Sequence, residues 1–507
     1  MTRDQLRRLD KCYFDFDINS NCKEETVDAR RLVCPQRFDL YSILLYIDHK
    51  VRGVCDDSYA LSVYKDRTLT ITGFKMSEPG NDSKSSFDDY LNVLDHLIED
   101  VSQDKFENDR TLIPVDKNYV LIDGAHRTSC AAYFDKQVKV LRFLDIDHAQ
   151  MSSEWFRKAY IPEFALDAMA LEACNWHKDL FMLILWPKAH MKPDVLSKAL
   201  EIIWEKFVVV YKKDQKMSYA AIRNLMIQIY GHMDWVGGIE NDFASTFVKA
   251  DEVWDNNGMC SFILIKAPSC EFVLDVKNEI RDMFGIGLAS IHSTDTMRET
   301  RIAANAIFNP NSLTFLHKAK PTRFKESYRL MESYKSLLEK NHCEKRDFII
   351  DSSMMMAIYG IRSAGDLDYY SLNPVAGGLI KAPLIEEHDE SQKSYYNDTI
   401  EDLIISPNNY FSFNELKYVT PEKLLGFKKN RYAALHDPKD KNDIVLLSQM
   451  INSDHNRIAV MMSKLSIVIQ RKKRIIRRSY HDRRRAFLIS VHLYEPLKKF
   501  KKILLKK

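Results

Sequence analysis

The stretch "FIIDSSMMMAIYGIRSAGDLDYYS", residues 348–371, constrains the fold more than any other part of the chain. The apolar run at its start reads as a strand. Ser352 and Ser353 open a helix, Ala364-Gly365 make a turn, and "DLDYYS" reads as a second strand. Strand alternation puts Asp366 and Asp368 on one face. Two neighbouring carboxylates are costly unless a cation neutralises them. Magnesium, held by carboxylates together with substrate phosphates, is the usual solution. Two small hydroxyl residues at a helix start can cradle phosphate. Met354, Met355 and Met356 read as adaptable core.

This arrangement resembles the nucleotidyltransferase fold of the DNA-polymerase-β type, a small-residue pair followed after a spacer by DxD. With the later "VTPEKLLGFKKNRYAALHDPKDKNDIVLL", it is similar to the abortive-infection-type branch. The resemblance covers roughly 345–450 and falls on Arg362, Asp366, Asp368, Lys428, Arg431, Lys441 and Asp443. It implies catalytic and metal-holding roles for Asp366 and Asp368. It implies nucleotide contacts for Ser352, Ser353, Arg362, Lys428 and Lys441. Two departures stand out. Position 352 is serine where the family has glycine, and the third carboxylate is open between residues 384–390 and Glu415.

A second constellation is "VLIDGAHRTSCAAYF", residues 120–134. An apolar run reads as a strand, a glycine follows, and a helix opens. Gly124 permits φ > 0 and close backbone approach to a ligand. The helix N-terminus offers unpaired N–H groups. His126 and Arg127 would add charge-assisted donors, and Asp123 would hold a metal or take a proton. The segment resembles the DGxHR signature of the ParB/sulfiredoxin-like fold, over roughly residues 30–145. The family's cysteine before His-Arg is Ala125 here, which argues against sulfinic-acid reductase chemistry. The free-serine-kinase branch implies Glu78 as base, Asp123 and His126 as catalytic partners, and Gly124, Arg127 and Thr128 at the phosphates.

The chain has 507 residues, too many for one compact core. Four segments are expected: 1–150, a phosphate-binding or kinase-like unit; 151–344, a mixed α/β unit; 345–455, the nucleotidyltransferase-like unit; and 456–507, a basic helical tail. The fold class expected is multidomain α+β, with small mixed sheets flanked by helices. Helices are expected at 37–48, at 193–207 and from Ser85 or Ser86. Strands are expected in "LTITGF", in both halves of "LIPVDKNYVLIDG", and in "QVKVLRFLDI". His292, Asp295 and Glu299 lie close together; such a cluster can bind a metal, but Thr294 or Asp295 as a plain helix cap is the better account. Trp235 beside paired glycines reads as a core residue near a turn or as a sugar-stacking ring.

Net charge is +3, yet residues 471–507 hold 15 Lys/Arg against Asp482 and Glu495, so this tail carries +13 and the rest of the chain −10. Apolar residues continue through the tail, and Phe487, Leu488, Val491, Leu493 and Tyr494 form one side of a helix. Such a segment suits an anionic membrane surface; nucleic acid is the competing partner. The nine cysteines form no CxxC pair, and no leader or membrane-length apolar run is seen. A cytoplasmic protein is expected, peripheral at the inner face of the membrane.

Together these features imply a bifunctional phosphotransferase and nucleotidyltransferase using ATP or CTP with Mg2+. Its acceptor would be a small molecule or glycan in bacterial surface-polysaccharide or lipid-linked glycan assembly. The alternatives are a nucleic-acid-directed protein (a ParB-like nuclease or an antiphage or toxin nucleotidyltransferase) and an inactive nucleotide-binding scaffold.

Overall fold

The computed structural model describes residues 1–9, 17–55, 58–77, 84–105, 111–148, 150–452 and 483–493, with 465, 469, 472, 476, 479 and 480 in the tail. The described chain is multidomain α+β, and its twelve strands form three small sheets flanked by helices.

The first sheet has β1 (Cys22–Asp28), β2 (Ile113–Val115) and β3 (Gln137–Phe143) in the order β1-β3-β2. β3 runs antiparallel to β1 and parallel to β2. Helix Leu40–Val51 buries nearly its whole length, and helix Phe87–Ser102 starts at Ser86 with a reciprocal cap to Asp89. Two expected strands are not formed. "LTITGF" is the end of helix Ser58–Ile71 and the turn after it. Its threonines look β-prone, but Thr70 and Thr72, like Thr68 just before it, each donate a hydroxyl to the carbonyl four residues back. Residues 120–122 make only an isolated bridge, Val115 to Leu121. Asp116 Oδ1 accepts from the N–H of both Asn118 and Val120, at 2.8 Å each, and this tight turn ends the ladder.

The second sheet is wholly antiparallel rather than mixed, in the order β5 (Val208–Lys216), β6 (Met259–Lys266), β4 (Leu180–Leu185), β7 (Ile291–Ser293). Alternation along β4 and β6 divides its two faces. Leu183, Leu185, Ile263 and Ile265 pack with Ala199 and Ile203 of helix Pro193–Lys206 and Val273 and Ile280 of helix Cys270–Phe284. Met182, Ile184 and Leu264 join the main core on the other side. The helix after β7 begins at Met297, capped by Thr296, so Asp295 precedes it and accepts no role on its face. Neither Thr294 nor Asp295 is therefore the cap, and Glu299 Oε2 takes the Asp295 N–H at 2.9 Å.

The third sheet has β8 (Phe348–Ile350), β9 (Leu367–Ser371), β10 (Ile385–Glu387), β11 (Tyr410–Phe413) and β12 (Leu416–Val419), in the order β10-β9-β8-β12-β11. One apolar core runs from Val27 to Leu447 through all three regions and includes the fully buried Met354, Met355 and Met356. In the tail, residues 483–490 are helical and Phe487 is 64% exposed, so its apolar side is not packed on the body. Tyr494 lies outside the described residues. No helix among the described residues is long and apolar enough to cross a membrane.

Candidate functional site

The C-terminal site is built where β8 ends. Asp351 caps helix Ser352–Tyr359 and accepts the Ser352 N–H at 2.5 Å. Ser352 has φ +54°, a left-handed conformation that costs a side-chain-bearing residue roughly 1–2 kcal/mol. This turn therefore demands the backbone that glycine adopts freely. Ser353 Oγ donates to Asp366 Oδ1 at 2.9 Å and ties the helix start to the strand carrying the acids. Asp366 is exposed just ahead of β9; Asp368 lies within β9 and is half-buried.

β10 pairs parallel with β9 and sets Glu386 beside Asp368. Of the two segments considered for a third carboxylate, this one adjoins the acids. Glu415 lies in the β11–β12 turn, held by Arg298, Lys335 and Lys345. Burial would raise its pKa, but those cations more than offset it and hold it well below the usual carboxylate range. His388 follows β10 and stands between Asp368, 3.3 Å from Nε2, and Asp351, 3.5 Å from Nδ1. Burial opposes its charge, yet the two carboxylates raise its pKa to about 9. It is thus an imidazolium at neutral pH. Tyr396 donates to the fully buried Asp351 at 2.6 Å.

Helices Pro421–Leu435 and Pro438–Ile451 form a hairpin beside these acids. Arg362 makes a two-pronged contact with Asp443, at 2.6 and 2.8 Å. Lys428 reaches Asp440 at 3.0 Å and Asp443 at 3.4 Å, and Arg431 reaches Asp440 at 3.2 Å. Arg362, Lys428, Arg431 and Asp443 are therefore brought together. Lys441 is not: it is exposed and outside this network, and the buried Asp440 takes its place. Asp440 and Asp443 are three apart and share a helix face, so the spacing in "DKND" could have pointed to Asp440. Among the described residues no three His, Cys, Asp or Glu side chains converge as a metal-ligating set.

In the N-terminal unit, Gly124 has φ +86° and is the N-cap of helix Ala125–Tyr133, so the cap residue itself offers no side chain to the first-turn N–H groups. A Cβ there would lie 3.2 Å from Arg127 Nη2. Arg127 donates to Thr111. His126 Nε2 pairs with the Tyr64 hydroxyl at 2.7 Å. Burial, aided by the charges of Arg67 and Lys84, pushes its pKa well below the ordinary value. His126 is therefore a neutral imidazole and not the cationic donor expected, which leaves Arg127 as the charged group of the signature. Thr128 is fully buried, and its hydroxyl has no hydrogen-bond partner among the described residues, so it is closed off from solvent. Behind the loop lies a group the sequence did not suggest. Arg37 grips the fully buried Asp39 at 2.8 Å through two nitrogens, and Arg67 adds a contact at 2.9 Å. Burial would raise the Asp39 carboxyl, but the two guanidinium groups hold it well below its ordinary range. Arg37 also donates to the Leu121 carbonyl at 2.5 Å, fixing the segment that carries Asp123. Glu78 lies outside the described residues.

A cavity of about 810 Å³ is lined by Glu415 with Arg298, Lys345, Glu172, Arg301 and Lys417, and by none of Asp123, Arg127, Asp366 and Asp368. Comparison with family models, curated proteins and solved structures found no match for this chain.

Proposed function

We propose that residues 345–455 form a magnesium-dependent nucleotidyltransferase centre, with Asp366 and Asp368 as its metal-holding acids and ATP or CTP as the donor. The observation that carries this is the junction at residues 350–368, where a helix start with a left-handed residue at 352 is tied through Ser353 to an acid pair beside a parallel strand. Magnesium binds through one or two carboxylates plus substrate phosphates, without a dedicated protein cage. Asp366 and Asp368 offer the one or two carboxylates that this mode of binding uses. When bound, the ion would neutralise charge on the donor's phosphates. The chain's own groups do the positioning. Ser353 orients the Asp366 carboxylate, and His388 offsets the charge of Asp368 and Asp351. The Arg362–Asp443 pair anchors the helical hairpin against the acid pair.

The N-terminal loop is read as a second phosphate grip, made by Gly124, the helix start and Arg127, in a phosphotransferase-type unit with Asp123 as its acid. The acceptor is a small molecule or glycan, and the basic tail holds the protein at an anionic membrane surface where lipid-linked glycans are assembled. Incubation of the full chain with α-labelled ATP or CTP, magnesium and a membrane-glycan extract tests this. Label is expected in an acceptor and is lost in Asp366→Ala. Transfer unchanged by that substitution overturns the assignment.

A further inference from the structure

Beside edge strand β7, between helices Ala244–Val253 and Cys270–Phe284, lies a pocket of about 510 Å³. That is within the usual size range for small-molecule sites. One wall is aromatic. The Tyr230 ring lies 5.4 Å from Trp235 and 5.1 Å from His292, which in turn stacks 6.4 Å from Trp186. The rim is apolar and open to solvent: Trp235 is 49% exposed, Val248 71% and Leu288 54%. Three large apolar side chains exposed around one mouth are unusual unless something covers them.

The opposite wall is cationic. Lys249, Lys277 and Arg281 all line the pocket. Lys249 is committed to Glu252, at 2.8 Å, and Arg281 spends its Nε and Nη2 on the Ile291 carbonyl. Lys277 is different. It is only 8% exposed and, among the described residues, has neither a hydrogen-bond nor an ion-pair partner. A buried ammonium without a partner is expensive, and burial lowers the pKa of Lys277. The acids lining the pocket are Glu252, already paired, and Asp295, which is exposed. His292 adds no charge, since burial drives its pKa down to about 3, and its Nε2 is shut off from solvent without a partner.

We propose that this pocket binds a small organic anion carrying a flat ring, a ring-bearing phosphate or carboxylate. Its ring lies along Tyr230 and Trp235, and its anionic group sits at Lys277. The anion supplies the charge that Lys277 lacks, and the ring covers the exposed apolar rim. The site is separate from the acid pair of β9.

Calorimetric titration of the full chain with phenyl phosphate and with benzoate tests this, with inorganic phosphate and phenol as single-feature controls. At least one ring-bearing anion binds, and its preference over the other identifies the anionic group. Each control binds at least about tenfold more weakly, the factor corresponding to about 1.4 kcal/mol. Lys277→Met, which removes a charge that no hydrogen bond or ion pair holds among the described residues, loses at least about tenfold in affinity, with folding checked by its unfolding midpoint. Trp235→Ala, at a surface position, weakens binding as well, while Asp368→Asn leaves it unchanged. Binding of neither ring-bearing anion overturns the proposal, as does equal binding by Lys277→Met.

Discussion

His388 reaches from the end of β10 and sets its Nε2 3.3 Å from Asp368 Oδ2. Its other nitrogen lies 3.5 Å from the fully buried Asp351, so one imidazolium serves two carboxylates. Removing one partner of a buried ion pair strands the other charge, at a cost of about 3–5 kcal/mol. His388→Ala is therefore expected to be destabilised by about 3 kcal/mol in denaturant unfolding. Asp351→Asn in the same background recovers much of the loss, since the stranded charge is gone. Equal stability of His388→Ala and the parent contradicts the pairing.

Ser352 carries a side chain at φ +54°. Glycine relieves the left-handed strain but loses more chain entropy on folding, so the net gain is a fraction of the 1–2 kcal/mol strain. Ser352→Gly is expected to stabilise by about 0.5–1 kcal/mol. The mirror experiment, Gly124→Ala at φ +86°, is expected to destabilise by about 1–2 kcal/mol. Both are read from urea midpoints, and the same sign for the two would show that backbone strain does not govern these junctions.

Glu172 is 6% exposed beside the large cavity, with its oxygens on Trp176 at 2.6 Å and Asn175 at 3.0 Å. Burial, with the nearby charge of Asp48, pushes its pKa up to about 7 from 4.5. The folded state thus binds a proton that the unfolded state has released between those values. Stability from this group is highest below the unfolded value and falls as pH rises through about 7. Glu172→Gln should flatten the stability profile in that window, while a slope equal to that of the parent rules Glu172 out as its source.

How much of this was readable beforehand depends on how local each feature is. The β8–helix–β9 unit and the Ser86 cap rest on neighbours in sequence and formed as expected, except that β9 starts at Leu367 and leaves Asp366 outside the strand alternation expected to align it with Asp368. The threonine-rich "LTITGF" misled because threonine is β-prone, yet the hydroxyls of Thr70 and Thr72 bond carbonyls in the preceding helical turn. His388 was hidden among acids in "LIEEHDE". Its role appears only when β10 pairs beside β9, a contact that no local pattern announces. The Arg37–Asp39–Arg67 group is likewise assembled from helix Ser58–Ile71 and the segment before Leu40–Val51. Asp123, Gly124 and Arg127 were legible as a loop and helix start; the lowered pKa of His126 was not, because it comes from burial and the charges of Arg67 and Lys84.

The tail keeps Phe487 and Ile489 exposed beside Arg483, Arg484 and Arg485. Each basic residue near an anionic surface contributes on the order of 1 kcal/mol. Co-sedimentation of the full chain with phosphatidylserine-containing vesicles is expected, to weaken with added salt, and to be lost on deleting residues 471–507. Retention of binding by the deletion assigns membrane contact elsewhere.

The central claim is that Asp366 and Asp368 hold a divalent cation together with nucleotide phosphates. Calorimetric titration of non-hydrolysable ATP and CTP analogues, with magnesium and then with chelator, tests it most directly because no acceptor is needed. Magnesium-dependent binding of at least one analogue is predicted, weakened at least about tenfold in Asp366→Asn/Asp368→Asn, a loss of about 1.4 kcal/mol. Nucleotide binding that is equal with chelator, or equal in the double variant, would contradict it.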